Sequence, residues 1–394
     1  MTTHTYKTEA LALHEQYAGK IEVASKIEVN SEEDLSVVYT PGVSEVCKAI
    51  AADETKVNKL TSRGKMIGVV TDGTAVLGLG NIGPKAALPV MEGKSILFKS
   101  FAGLDAFPIC LDTTDTEEII AMVKALQPNF AGINLEDIAA PRCFEIEARL
   151  KEELDIPVFH DDQHGTAIVV LAALLNASKV VNKQHNDLKI VINGAGSAGI
   201  AIARLLFAAG YNNISLVSLE GVVCEGADWM NPAQQNIATQ TNSAHIQGDL
   251  NDVLVQADVF IGVSGPKALS SAQIATMNDN PIIFALANPV PEIYPEDARA
   301  AGATVIGTGR SDYPNQINNL LAFPGIFKGI LQAQKKDITM AAKVAAAHAI
   351  AEVIAPSELT ADYVIPSALN PNVVDAVADA VAVAVTEEQA ITMN

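Results

Sequence analysis

Two adjacent aspartates, Asp161 and Asp162, follow a short apolar run, Ile156-Pro157-Val158-Phe159, and open the string Asp-Asp-Gln-His-Gly-Thr-Ala. An upstream run, Phe130 to Leu135, also ends in adjacent acids, Glu136-Asp137. Neighbouring side chains alternate across a strand, so each pair can act together only where strand gives way to loop. Both pairs are expected at such a point. In a parallel sheet the C-terminal strand ends gather on one edge, where ligands bind. Three carboxylate oxygens at that edge suit Mg²⁺ or Mn²⁺ and leave positions open for substrate and water. Either pair alone could merely cap the next helix. Two pairs beside a nucleotide site favour a metal, because clustered carboxylates otherwise repel.

The nucleotide site is read from Gly194-Ala195-Gly196-Ser197-Ala198-Gly199, which follows a predicted strand, Leu188 to Asn193, and opens a predicted helix over 197–209. In that context the first glycine permits the tight turn, and the second lets the backbone approach a pyrophosphate. The third lets helix and strand pack closely, with the helix N-terminus facing the phosphates. A glycine turn that binds nothing is the alternative. The next strand, Ile214 to Leu219, should end in an acid for the adenosine ribose. Ser218 holds the usual position and Glu220 stands two residues on. No Lys or Arg lies between Ser215 and Trp229, and a 2′-phosphate would meet Glu220 and Glu225. NAD is favoured over NADP.

These sites need elements to position them. Strands are predicted at Met66 to Val70, Ser95 to Phe98, 130–135 and 156–159, and helices over 8–18, 115–126 and 141–154. A long apolar helix is predicted from Gly165 to about Val181. Further strands are predicted at Ala257 to Val263, Pro281 to Leu286 and Thr304 to Gly307, then helices over 326–335, 339–354 and 371–385. Alternating strand and helix predicts an α/β fold with doubly wound parallel sheets. The expected division is a substrate and metal domain over 1–160, completed by helices of 316–394 that pack back on it. A Rossmann-type NAD-binding domain is expected over 161–315. Tyr39-Thr40-Pro41-Gly42-Val43 reads as a rigid turn.

The 394 residues carry 26 Lys+Arg against 46 Asp+Glu, a formal net charge of -20. Such a surface repels nucleic acid and anionic membranes, and an anionic substrate would need a local cation. Cys47, Cys110, Cys143 and Cys224 show no metal-ligand spacing and read as reduced, buried thiols, as in a cytoplasm. The N-terminal residues lack a signal pattern, and the Ala/Val-rich C-terminal stretch, interrupted by Asp375 and Asp379, is too short to span a bilayer. It reads as a packed helix.

Several strings, taken in order, resemble the malic enzymes in their short bacterial form. They are Tyr39-Thr-Pro-Gly-Val, Thr71-Asp-Gly-Thr-Ala-Val-Leu-Gly-Leu-Gly-Asn-Ile-Gly-Pro, Met91-Glu-Gly-Lys, Asn134-Leu-Glu-Asp-Ile, Phe159-His-Asp-Asp-Gln-His-Gly-Thr-Ala, Phe284-Ala-Leu-Ala-Asn-Pro and Asn318-Asn319 ahead of Phe323-Pro-Gly. The resemblance spans nearly the whole chain. It implies oxidative decarboxylation of L-malate to pyruvate and CO₂ with NAD and a divalent metal, in a homodimer or larger homo-oligomer.

Carried onto this chain, the resemblance makes Glu136, Asp137 and Asp162 the metal ligands. Lys94 becomes the general base, Asp161 its acidic partner and Tyr39 the general acid. Asn288 and Asn319 would hold malate. Thr166, Gly194, Gly196, Ser197, Ala198, Gly199, Ser218, Glu220 and Asn288 would line the dinucleotide. Taken singly, Lys94 reads as a surface lysine, Tyr39 as a packed turn aromatic and Asn288 as a turn residue. Lys99, Arg142, Arg310 and His164 lie near the motifs without an assigned role. The chain departs from the family pattern at Ser218, where an Asp is frequent, and at Ala75, Ala139 and Arg142. An acyltransferase-like extension, and the regulation it brings, is not expected. Two other readings stay open: an oxaloacetate decarboxylase on the same scaffold, and a catalytically silent dinucleotide binder.

Overall fold

The computed structural model describes residues 3–392. Four parallel strands form the first sheet: β1 (Met66–Thr71), β2 (Asp105–Cys110), β3 (Gly132–Leu135) and β4 (Val158–His160), in the order β2-β1-β3-β4. Helices α1 (Thr3–Tyr17), α2 (Glu32–Val38), α3 (Val43–Ala52) and α4 (Val57–Leu60) precede it. Helices α5 (Pro84–Leu97), α6 (Thr116–Leu126) and α7 (Arg142–Glu153) join its strands.

Helix α8 (Asp161–Val180) leads into the second sheet. Its strands are β5 (Ile190–Asn193), β6 (Ile214–Ser218), β7 (Gly221–Val222), β8 (Val259–Gly262), β9 (Ile282–Ala285) and β10 (Val305–Thr308), ordered β10-β9-β8-β5-β6-β7. All pair in parallel except β7, which is antiparallel to β6. Helices α9 (Ser197–Ala208), α10 (Pro232–Ala238), α11 (Leu250–Leu254), α12 (Ser271–Ile274) and α13 (Pro295–Ala300) connect them. The strand order reverses between β5 and β8, which opens the crevice where doubly wound sheets bind ligands. Three helices close the chain: α14 (Phe323–Gln332), α15 (Met340–Glu352) and α16 (Asn372–Thr392).

Strand alternation divides the core. Ile67 and Val69 of β1 face a cluster shared with α5, α8 and the C-terminal helices, while Val70 faces a second cluster with α6 and α7. In the second sheet Ile190, Ile192, Val259 and Ile261 join the shared cluster, and Val191 and Phe260 face the opposite one. The shared cluster therefore runs unbroken from one sheet to the other through α8. Residues 167–174 of α8 are buried on every side. A helix apolar all round belongs in an interior. Each buried Leu or Ile there contributes about 1.5–3 kcal/mol, which fixes the N-terminal turn in place. Phe327 of α14 packs edge-on against Phe98 and Phe159, so the C-terminal helices touch the first sheet's surroundings.

Four sequence expectations need correction. Ser95 to Phe98 is no strand: it completes α5 and begins the π-helical turn Phe98–Ala102. Its apolar run suggested a strand, but the buried positions Ala87, Met91, Lys94, Ser95 and Phe98 recur at helical spacing. Strand β2 was masked by Pro108, which is tolerated because β2 lies at the sheet edge. Helix α8 starts at Asp161 rather than Gly165, so Asp161 and Asp162 occupy a helical first turn and not a loop. Cys47 is exposed rather than buried; Cys143 and Cys224 are buried, and all four thiols are free.

Candidate active site

The site begins where β3 ends. Asp137 adopts a left-handed backbone, φ 56. Aspartate tolerates that conformation, and here it ends the extended geometry that would send Glu136 and Asp137 to opposite faces. The Asp137 carbonyl accepts from Ala75 N at 2.9 Å, and its own N–H donates to Asp162 Oδ2 at 2.7 Å. That last bond ties the β3 edge to the first turn of α8, 25 positions further along the chain. Asp161 and Asp162 sit where the helix dipole favours anions. Neither serves as a cap: Asp161 bonds Lys94, and Asp162 accepts from the Asp137 amide and the His160 ring.

Glu136, Asp137 and Asp162 each bring one carboxylate oxygen within 4.8 Å of the others. A hard, all-oxygen donor set of this kind fits Mg²⁺ or Mn²⁺.

Lys94 enters from α5. It is 9 % exposed, so it is no surface lysine. Its Nζ pairs closely with Asp161 Oδ2, lies 3.1 Å from Glu136 Oε1, and stands 4.5 Å from the centre of the Phe323 ring. Burial alone would lower its pKa; the carboxylates of Asp161 and Glu136 outweigh that and hold the ammonium above its ordinary value. Burial pushes Asp161 up to about 6, with Lys94 pulling the other way. Burial likewise raises Glu136. Burial would raise Asp162 too, but the bond from His160, the Lys94 charge and the Asp137 amide prevail and lower it.

A Cβ at Gly165 would fall 1.8 Å from Asp161 Oδ1 and 3.0 Å from the Asn319 Cβ. Only a glycine lets both lie against the helix, so Asn319 flanks Asp161. Asp161 Oδ1 is buried and has no hydrogen-bond partner among the described residues. Asn288 is reached from both sides: a Cβ at Gly78 would meet its carbonyl at 2.1 Å, and one at Gly309 its Nδ2 at 2.5 Å. Thr166 follows Asp162 by one helical turn and shares its face.

At the second sheet's switch point, Gly194 has φ +123 and a Cβ there would strike Val263 O at 2.5 Å. One on Gly199 would strike Gly194 O at 1.8 Å, whereas one on Gly196 would meet nothing. The cradle over Gly196 is open to a ligand, and Ser197 and Ala198 start α9 beside it. Ser218 ends β6, and its Oγ donates to Glu220 Oε2 at 2.5 Å. The bond lowers the Glu220 pKa. The acid two residues late thus folds back beside the position where an acid was expected.

Tyr39 is not brought to this cluster. It ends α2, is 67 % exposed, and no side-chain hydrogen bond holds it among the described residues. The reading of it as a packed aromatic fails.

Of the unassigned residues, Lys99 pairs with Asp105. Arg310 pairs with Asp312 and donates to Pro289 O. Arg142 donates to Asp72 at 2.9 Å, Thr74 at 3.2 Å and the Thr114 carbonyl at 2.6 Å. His164 bonds Glu147. Sequence reasoning missed Asn134, whose Nδ2 donates to Glu136 Oε2 at 3.0 Å, and Phe323 beneath Lys94. Both stood inside quoted strings, which was the available signal.

Residues 18–151 match the family model of the malic enzyme N-terminal domain, and residues 163–390 that of the malic enzyme NAD binding domain. A "bifunctional malic/malolactic enzyme" of Bacillus subtilis is 56% identical over 382 residues, 97% of this chain and 93% of that protein. An "NAD-dependent malic enzyme" of Geobacillus stearothermophilus is 58% identical over 363 residues, 92% of this chain and 76% of that one. A solved NAD-dependent malic enzyme from Thermotoga maritima superposes with a TM-score of 0.91 at 50% identity, covering 95% of this chain and 98% of its own. The chain belongs to the malic enzyme family.

Proposed function

We propose that this protein oxidatively decarboxylates L-malate to pyruvate and CO₂ with hydride transfer to NAD. One observation carries the reading: a buried Lys94 paired with Asp161 abuts three convergent carboxylates, on a chain whose second domain has a dinucleotide fold. In this reading Glu136, Asp137 and Asp162 would hold a divalent cation, which would supply Lewis acidity and the positive charge that a dicarboxylate needs, and the Gly194–Gly199 turn would hold the dinucleotide that serves as hydride acceptor.

The chain's own groups do the rest. Lys94 takes the C2 hydroxyl proton, for which it must first lose its own; Asp161 Oδ2 is in contact to accept it. Asn288 and Asn319 orient malate, and Tyr39 protonates C3 of the enolpyruvate. The Ser218–Glu220 pair favours NAD over its 2′-phosphorylated form, and the open cradle at Gly196 leaves room for the pyrophosphate. Domains of 1–160 with 316–394, and of 161–315, fit the two sheets. No helix among the described residues is long and apolar enough to cross a membrane, and a cytoplasmic location agrees with the free thiols.

A second copy of the chain completes the site. Helices α2, α3 and α4 bury no residue, and among the described residues 13 of the 22 exposed large apolar side chains lie between Tyr6 and Leu60. So much apolar surface on one segment marks an interface. Tyr39 lies within it, so in this reading Tyr39 serves the partner's Lys94.

The test incubates the protein with malate, NAD and Mn²⁺ and follows NADH, pyruvate and lactate. NADH and pyruvate in equal amounts are expected. Lactate without net NADH would point to the malolactic half of the Bacillus relative's name. Pyruvate from oxaloacetate alone would reduce the protein to a decarboxylase, and no turnover to a binder.

A further inference from the structure

Asp162 Oδ2 accepts two protein hydrogen bonds, from Asp137 N at 2.7 Å and from His160 Nε2 at 3.2 Å. Among the described residues no donor reaches Oδ1. We propose that Glu147 is a positioning residue: through Gln163 and His160 it keeps Oδ2 of Asp162 occupied and so leaves Oδ1 to the cation. This rests on the cation reading above.

The inference follows from which atoms can carry protons. His160 is fully buried, so both ring nitrogens must find partners inside the protein. Its Nδ1 lies 2.6 Å from Gln163 Nε2, and the Cys143 thiol borders the ring. The same Gln163 nitrogen lies 3.3 Å from Glu147 Oε2. Turning the amide over would set its oxygen against the Glu147 carboxylate, two acceptors with no proton between them. Glu147 therefore fixes the amide with nitrogen inward. That amide donates to Nδ1, which makes Nδ1 the acceptor and places the ring proton on Nε2, facing Asp162. With the other tautomer a bare nitrogen would confront the carboxylate and turn it away.

Glu147 is itself held. Lys151 Nζ lies 2.6 Å from Oε1, and His164 Nε2 donates at 2.8 and 2.9 Å to the two oxygens. Behind His164, Lys343 of α15 reaches Nδ1 at 3.0 Å. Helices α7, α8 and α15 thus contribute to one buried chain of hydrogen bonds that ends on Asp162. Hydrogen-bonded partners of ligands set ligand orientation, and their loss typically weakens metal binding about 10- to 100-fold.

The experiment titrates the full chain with Mn²⁺ alone and reads free Mn²⁺ by electron paramagnetic resonance. Glu147→Gln and Gln163→Leu should each weaken binding by about 10- to 100-fold. The double variant should lose no more than the worse single one, since both break one chain. Nitrogen NMR of His160 should show the proton on Nε2 in the parent and a tautomer mixture in Gln163→Leu. NAD binding and the thermal midpoint report folding; if Glu147→Gln does not fold, Gln163→Leu carries the test. Folded variants that bind Mn²⁺ like the parent, or losses that simply add, would overturn the proposal. Asp162→Asn separates the two readings. If it also binds Mn²⁺ normally, the cation reading itself fails; if it alone loses Mn²⁺, only the role of Glu147 fails.

Discussion

Lys94 and Asp161 meet as a buried ion pair although they stand 67 positions apart in the chain; one lies in the last turn of α5 and the other opens α8. The Asp161 side chain is wholly buried and that of Lys94 nearly so, so each depends on the other for its charge partner. Lys94→Ala is expected to lower kcat for malate oxidation by about 10²- to 10⁴-fold, the usual worth of a positioned base. NAD affinity should stay within about threefold, since Lys94 lies on the other sheet's side of the site. Steady-state kinetics with a parallel NAD titration measure both. Undiminished turnover would take Lys94 out of the mechanism.

The two neighbouring aspartates should separate on substitution. Asp162→Asn is expected to weaken Mn²⁺ binding by at least tenfold, because it removes a ligand charge. Asp161→Asn should leave Mn²⁺ affinity nearly unchanged and lower kcat instead. A Mn²⁺ titration beside the kinetics decides; equal loss of affinity in both variants would merge the roles.

If Tyr39 serves the partner's Lys94, two inactive proteins should rescue one another. Tyr39→Phe and Lys94→Ala, unfolded together and refolded as a 1:1 mixture, should recover about a quarter of parental activity, because half the dimers are mixed and each has one intact site. Recovery absent from a mixture shown to contain mixed dimers would place both residues in one chain.

Lys343 makes stability depend on pH. Burial is the main cause that lowers its pKa from 10.5 to about 7; Lys151 and Arg204 add to this, and Glu147 opposes it. His164 faces it, and burial lowers that ring to about 3, so it stays neutral. Between pH 7 and 10.5 the unfolded chain holds the Lys343 proton and the folded chain does not, so stability rises with pH in that window. The slope is at most about 1.4 kcal/mol per pH unit. Chemical denaturation at pH 7 and pH 9 should show a smaller gain for Lys343→Met than for the parent. An identical gain would remove Lys343 as its source.

Glu220, bonded to Ser218, is expected to hold the adenosine ribose. Glu220→Ala should weaken NAD binding by about tenfold, through loss of a charge-assisted hydrogen bond to the ribose. It should narrow the gap to NADP. Competing titrations of both dinucleotides measure it, and an unchanged ratio would show that Glu220 does not discriminate.

Local strings made part of this legible. The glycines of 194–199 and the acids of 136–137 and 161–162 each carry their meaning within six residues. The burial of Lys94 was hidden because Ile96-Leu97-Phe98 imitates a strand until the helical spacing of its buried face is seen. Strand β2 was hidden by Pro108, whose tolerance depends on an edge position that no short window reveals. Glu147 and Lys343 look like ordinary helix-surface charges. Their partner His164 lies 17 residues from one and 179 from the other, so only the folded chain joins them. Tyr39 was legible as a family residue, but its surroundings in one chain gave no reason for its place.

Helix α8 has one more implication, for how the site can be altered. Its first turn carries Asp161 and Asp162, its middle is buried between the two sheets, and no break separates these parts. The two carboxylates are mounted on a single beam and keep a fixed angle to each other. A redesign of core residues near Leu171 or Leu174 would therefore tilt both acids together, like two fittings on one shaft. Tuning either acid alone has to come from the residues of other elements that meet it, Asp137, His160 and Lys94, and not from the helix that bears it.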